Sequence, residues 1–179
     1  MEMLDIVDEN GNPTGKVKRR DEVHRDGDPH RTSHVWIVRD NEKGGLDVLL
    51  QKRSDNKDSH PGCLDISSAG HIKAGDDFLE SALRELKEEL GIEASPEELK
   101  EIGISRTKSE NIFHGEIFKN NQISKVYKLK LNNLDIDKLK LQEEEVQGVL
   151  WMDLEECKEA VENNTIKNCI KLHELQMLG

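Results

Sequence analysis

The sequence predicts an α/β fold of the α+β kind: a mixed sheet with helices on both faces, an α/β/α sandwich that opens with a β-hairpin. Three observations lead there. Val35-Trp36-Ile37-Val38 and Val48-Leu49-Leu50 are short apolar runs on either side of Gly44-Gly45, the pattern of paired, well-buried strands at the sheet centre. Leu79, Leu83, Leu86 and Leu90 recur at helical spacing between Asp77 and Gly91. Leu4–Val7 and Lys16–Lys18 flank Glu9-Asn10-Gly11-Asn12, where Asn-Gly supplies the positive φ of a tight reversal.

The remaining elements follow in order. Gly91 stands where a helix C-cap is expected. Ile102–Ile104, Ile117-Phe118, Val126–Leu131 and Val149–Met152 read as further strands, and Lys138–Gln147 as an acidic loop. Asp153 caps a helix running to Asn163, and Thr165 caps a last one carrying Ile166, Ile170, Leu172 and Leu175. No composition break divides the chain. We therefore expect one domain over residues 1–179, with the hairpin in 1–20, a loop-helix-loop in 70–92 and terminal helices in 153–179.

Charge excludes some partners. A net charge of −11, with 35% charged residues, argues against nucleic acid, because polyanion binders carry basic patches. The one short basic cluster, Lys16-Val17-Lys18-Arg19-Arg20, runs straight into Asp21 and Glu22 and reads as a solvated strand end. The first residues show no basic-then-apolar leader pattern and no stretch is apolar enough to span a bilayer, so the expected location is the cytoplasm, with no membrane partner. Cys63, Cys157 and Cys169 have neither even number nor CxxC spacing, and free thiols are expected.

The chemistry lies on the amphipathic helix. Helical residues advance by about 100° each, which sets Glu85, Glu88 and Glu89 on one arc and the leucines on the other. Like charges at these spacings repel by a few tenths of a kcal/mol per pair, roughly, unless a cation sits among them. Mg²⁺, an oxygen-seeking ion that bridges carboxylates to substrate phosphates, would answer that. A solvated acidic face is the other reading of the same three residues.

A longer pattern decides between them. Gly70-His71-Ile72-Lys73-Ala74-Gly75-Asp76, followed by Arg84-Glu85-Leu86-Lys87-Glu88-Glu89-Leu90-Gly91-Ile92, resembles the Nudix box, with Asp76 in place of the pattern's first Glu. The resemblance implies that Glu85, Glu88 and Glu89 bind Mg²⁺, with Mn²⁺ a possible substitute, that the Gly70 carbonyl adds a ligand, and that Arg84 pairs with acids to fix the loop. Asp76 is one bond shorter than Glu, roughly 1.5 Å, which strains its reach to Arg84. Asp76 or Asp77 also suits the helix N-cap.

Val23–His30, Val35–Ile37, Gln51–Ser54 and Pro61–His71 extend the resemblance to the Nudix branch related to isopentenyl diphosphate isomerase. His24, His30 and His71 match that branch's three metal histidines. Ala69, however, takes the position of the isomerase's catalytic Cys, Cys63 lies too early to replace it, and Gln122 and Lys125 take the place of carboxylates. Isomerisation therefore stays only as an alternative to hydrolysis. The three histidines read first as hydrogen-bonding residues of the loop and helix entry, and second as ligands of Zn²⁺ or Mg²⁺.

What remains is a hydrolase acting on a small-molecule diphosphate, such as a nucleoside diphosphate linked to X. Glu88, Glu89 and Glu145 are the leading candidates to take the proton from water, with Glu143, Glu144, Glu110 and Glu116 also open. A non-catalytic nucleotide-binding module is the alternative of another class. The apolar residues of the last helix either cover the core or form a homodimer face. Aromatics are 3% of the chain, leaving few side chains to stack a base, and isoprenoid diphosphates, sugar nucleotides and dinucleotide polyphosphates all stay open.

Overall fold

The apolar run Val35–Val38 lies inside an 11-residue strand whose side chains alternate between two cores. Val35 and Ile37 enter one cluster, Trp36 and Val38 the other, and all four are at most 1% exposed. That is why the run is continuous rather than alternating. Each side chain so buried contributes about 1.5–3 kcal/mol before entropy is counted.

The computed structural model describes residues 2–179. In chain order these form β1 (Met3–Val7), β2 (Pro13–Arg19), α1 (Arg20–Asp26), β3 (His30–Asp40), β4 (Leu46–Arg53), β5 (Leu64–Asp65), β6 (Ser68–His71), α2 (Phe78–Glu85), β7 (Lys100–Phe113), β8 (Glu116–Lys130), β9 (Val146–Asp153), α3 (Leu154–Glu162) and α4 (Leu172–Met177). β1 and β2 are the N-terminal hairpin. The main sheet runs β5-β4-β3-β8-β7, with β6 added to β3 and β9 to β4. It is mixed, because β3 pairs β8 in parallel and its other neighbours antiparallel.

On one face of this sheet Ala82 of α2 and Leu86 and Leu90 of the turn that continues it pack against Val35, Ile37 and Leu49. Asp77 caps the helix, and its side chain and that of Glu80 form a reciprocal capping box. The last turn, Leu86–Leu90, widens to π-helical hydrogen bonding and ends at Gly91, whose φ of 71° is left-handed. A Cβ there would stand 2.9 Å from Lys140, so the expected C-cap is also a close approach. On the opposite face, Leu154 and Cys157 of α3 and Leu175 of α4 pack on Trp36, Val48 and Leu50.

Two expectations need correction. Ile102–Ile104, Ile117-Phe118 and Val126–Leu131 belong to only two strands, β7 and β8, of 14 and 15 residues, which form one long hairpin. The final helix begins at Leu172 and not at Thr165. Residues 165–171 are instead held by a bridge from Asn168 to Leu64 and by the Asn168 side chain accepting from the Ile170 amide. Ile170 and Leu175 are buried in the core, so this stretch covers the sheet instead of offering those side chains to a second copy. Cys63, Cys157 and Cys169 are free thiols. No helix among the described residues is long and apolar enough to cross a membrane.

Candidate active site

β6 brings the backbone of Gly70 beside the start of the π-turn. A Cβ on Gly70 would lie 2.4 Å from Glu85 Cδ and 2.7 Å from its Oε1, so glycine is needed for Glu85 to occupy this position. Glu89 also points inward, 5% exposed, and accepts from Ser68 Oγ at 2.9 Å and the Ala69 amide at 3.2 Å. Glu88 stays on the outside. The three carboxylates therefore do not share one solvent-facing arc, because the widened turn directs Glu89 into the protein.

Burial, with the charges of Glu89 and Glu88, pushes Glu85 up to about 8. Burial pushes Glu89 up to about 7, against its bonds to Ser68 and Ala69 and the charge of Lys57. Two inward carboxylates beside the Gly70 backbone form an oxygen-rich donor set short of positive charge. A hard divalent cation fits it.

Arg84 braces this arrangement from behind. Its Nη1 donates to Asp76 at 2.7 Å, while Glu85 and Glu88 each lie 4.0 Å from the guanidinium. The short Asp76 side chain reaches its partner. Arg84 itself does not line the cavity.

The cavity encloses about 580 Å³, and Gly70, Glu85, Glu88, Glu89 and Glu145 all line it. Glu143, Glu144, Glu110 and Glu116 are exposed and do not. Glu145 forms an ion pair with Lys57. Burial, then the charges of Arg53 and Arg20, lower Lys57 to about 8. Arg53, tied to Asp65 and the Ser59 carbonyl, and Arg20, tied to Asp58, complete a basic wall. Arg20 is thus more than the solvated strand end expected of the Lys16–Arg20 cluster.

His24, His30 and His71 meet at one edge of the cavity. Their ligand atoms all lie within 4.8 Å of one another. Burial lowers all three, His24 to about 3, and His30 donates from Nδ1 to the Asp28 carbonyl. The Nε2 atoms of His24 and His30 are buried without partners. Neutral imidazoles with free lone pairs are a nitrogen donor set, suited to borderline metals such as Zn²⁺ more than to Mg²⁺. Phe118, stacked on His24 at 4.1 Å, stands over this cluster. Lys125 pairs with Glu101 and is not part of the cavity.

Arg20 and Lys57 were not singled out from sequence as site residues, nor was the inner face of β7–β8 apart from Gln122. They come from segments far from the Nudix-like motif. Only the alternation Ser105, Thr107, Ser109, Asn111 between charged or apolar neighbours signals that one face of β7 is set apart.

Comparison with known proteins shows the family. The NUDIX domain profile matches residues 29–172. Over 164 residues the chain is 40% identical to an uncharacterized Nudix hydrolase of Clostridium acetobutylicum, covering 90% of this chain and 75% of that protein. Nudix hydrolase 3 of Arabidopsis thaliana is 44% identical over 156 residues, 87% of this chain, although the chain spans only 20% of that protein's length. A crystal structure of a Deinococcus radiodurans protein superposes with a TM-score of 0.64 at 20% identity, covering 93% of this chain and 92% of the other. The chain belongs to the Nudix family. Its relatives bear the name of Nudix hydrolases, and the class they define is that of pyrophosphohydrolases.

Proposed function

We propose that the chain is a Mg²⁺-dependent hydrolase that cleaves the diphosphate linkage of a nucleoside diphosphate derivative or similar organic diphosphate. The carrying observation is one cavity lined by two groups of charge: Glu85 and Glu89 beside Gly70, and Arg20, Arg53 and Lys57. The first suits a divalent cation and the second suits phosphate oxygens.

Glu85, Glu88, Glu89 and the Gly70 carbonyl would hold Mg²⁺, or Mn²⁺ in its place. Bound there, the ion would neutralise phosphate oxygens and lower the pKa of water. Lys57 and Arg53 receive the diphosphate and orient it toward the ridge. Glu145, on the loop before β9, accepts a proton from the attacking water. The water's oxygen bonds to phosphorus, the bridging P–O bond breaks, and the bond pair leaves with the departing phosphate. Glu88 and Glu89 remain second choices for the base. Arg84 acts as a positioning residue, holding Asp76 so that the loop keeps Gly70 against Glu85.

Isomerisation gains no support, since Ala69 offers only its amide, already bonded to Glu89. The test is turnover of a panel of nucleoside and isoprenoid diphosphates with Mg²⁺, with Glu89→Gln as control. Product formation that collapses in the variant is expected. Tight binding without turnover on every compound would favour a non-catalytic module.

A further inference from the structure

The β7–β8 hairpin does more than extend the sheet. β3 ends its pairing with β8 at His30, opposite Gln122, so the arm formed by residues 108–121 reaches past the sheet. Its tip is held down by His114, whose Nε2 lies 2.7 Å from the carbonyl oxygen of Lys57, and by Phe113 packed on His60. The arm roofs the cavity.

Strand alternation gives the arm two unlike faces. Outward go Arg106, Lys108, Glu110 and Ile112, all exposed. Inward go Thr107, Ser109 and Asn111, paired across the hairpin with Gln122, Asn120 and Phe118. In a chain whose residues are 35% charged, five of these six inner side chains are neutral hydroxyls and amides. Such groups both donate and accept, as the hydroxyls of a sugar do. Phosphate would call for cations, and a hydrocarbon for an apolar wall. The one apolar member, Phe118, already lies against His24.

Asn120 carries a further sign. Its amide donates to Gln122 Oε1 at 3.1 Å, but its own Oδ1 is buried with no partner. A hydroxyl donor would satisfy it, and an alkyl chain would leave it unpaired. Position also fits. From Gly70 on β6 to Lys125 on β8 is two strand steps, about 10 Å, and Gln122 and Asn120 lie three and five residues farther along β8, which sets the wall beyond the phosphates and against what they carry.

Resting on the diphosphate reading above, we infer that the inner face of β7–β8, centred on Asn120 with Ser109, Thr107 and Gln122, is the specificity surface, and that it selects a hydroxyl-rich, sugar-type group over a hydrocarbon chain.

The experiment compares UDP-glucose and ADP-ribose with geranyl and dimethylallyl diphosphates. Turnover is measured with Mg²⁺, and binding by calorimetry with Ca²⁺, in the wild type, Asn120→Leu and Ser109→Ala, with thermal midpoints as a folding check. The better hydroxylated compound should exceed the better isoprenoid by at least about tenfold in kcat/KM and in affinity, and Asn120→Leu should bring that ratio near one. Equal or better binding of the isoprenoids by the wild type would overturn the inference. So would an unchanged ratio in both variants, provided they are folded. If nothing is turned over yet the hydroxylated compounds bind more tightly, the hydrolase reading falls and this one stands.

Discussion

His34 and Glu174, 140 residues apart, form an ion pair in the interior, with His34 Nδ1 2.9 Å from Glu174 Oε1 and Glu174 only 1% exposed. The pair ties α4 to β3 beneath the cavity. Burial alone would lower His34, but the Glu174 carboxylate outweighs it and raises the imidazole above its usual value. Burial would likewise raise Glu174, and His34 outweighs it and lowers the carboxyl. The pair's contribution is therefore complete between about 4.5 and 6.5, the ordinary values of the two groups. It fades at higher pH as His34 loses its proton and at lower pH as Glu174 gains one. His34→Leu leaves Glu174 buried and unpaired, and should cost about 3 kcal/mol near pH 5.5. Denaturant midpoints against pH should show the gap between wild type and variant narrowing toward pH 9. A gap that stays constant would contradict the assignment.

Gly70→Ala tests the cradle for Glu85. The added methyl would collide with a carboxylate 2.4–2.7 Å away, so the side chain must swing out of the cavity. The fold should survive, because Gly70 sits in ordinary strand backbone on β6. Activity should fall by about 100-fold, and Mn²⁺ affinity, followed by electron paramagnetic resonance, should fall with it. Retained metal affinity in a folded variant would remove Glu85 from the ligand set.

Much of this was written plainly in the sequence. Val35–Val38 and Val48–Leu50 are buried on two faces and therefore uniformly apolar, and Asp77, Gly91 and Asp153 cap helices by local chemistry that any window of a few residues reveals. The β7–β8 arm was not visible because its inner face binds no core. Thr107, Ser109 and Asn120 look like solvated surface until the fold turns them toward a cavity. Glu85, Glu88 and Glu89 were visible as a spacing, but the inward turn of Glu89 depends on a π-helical end that α-helical periodicity does not encode. Lys57 and Glu145, 88 residues apart, are a pair only in three dimensions.

Asp76 reaches Arg84 despite its short side chain, at 2.7 Å. Asp76→Ala should therefore loosen the loop that carries Gly70. The bridge is partly exposed, so the stability loss should be small, about 0.5–1 kcal/mol. Metal affinity should suffer more than the thermal midpoint. Asp76→Glu, which restores the usual Nudix residue, should retain metal affinity within about twofold. Loss in Asp76→Glu as large as in Asp76→Ala would show that the pairing depends on the shorter acid.

Lys57 sets the last expectation, a limit on activity at alkaline pH. Burial beside Arg53 and Arg20 leaves its ammonium with a pKa of about 8, so the charge that pairs with Glu145, and in the proposed function meets the phosphates, is lost as pH rises through that value. Below it the cation is present and the diphosphate is held; above it the basic wall loses one charge and KM rises. The profile of kcat/KM should accordingly descend near pH 8. Lys57→Arg keeps its proton throughout this range, and its descending limb should move to higher pH even if its maximum is lower. Glu145→Gln should act differently, cutting kcat by about 10²–10⁴-fold at every pH because the proposed proton acceptor is gone. If Lys57→Arg keeps the wild-type limb, another group carries the titration, and Lys57 serves only to hold Glu145 in place.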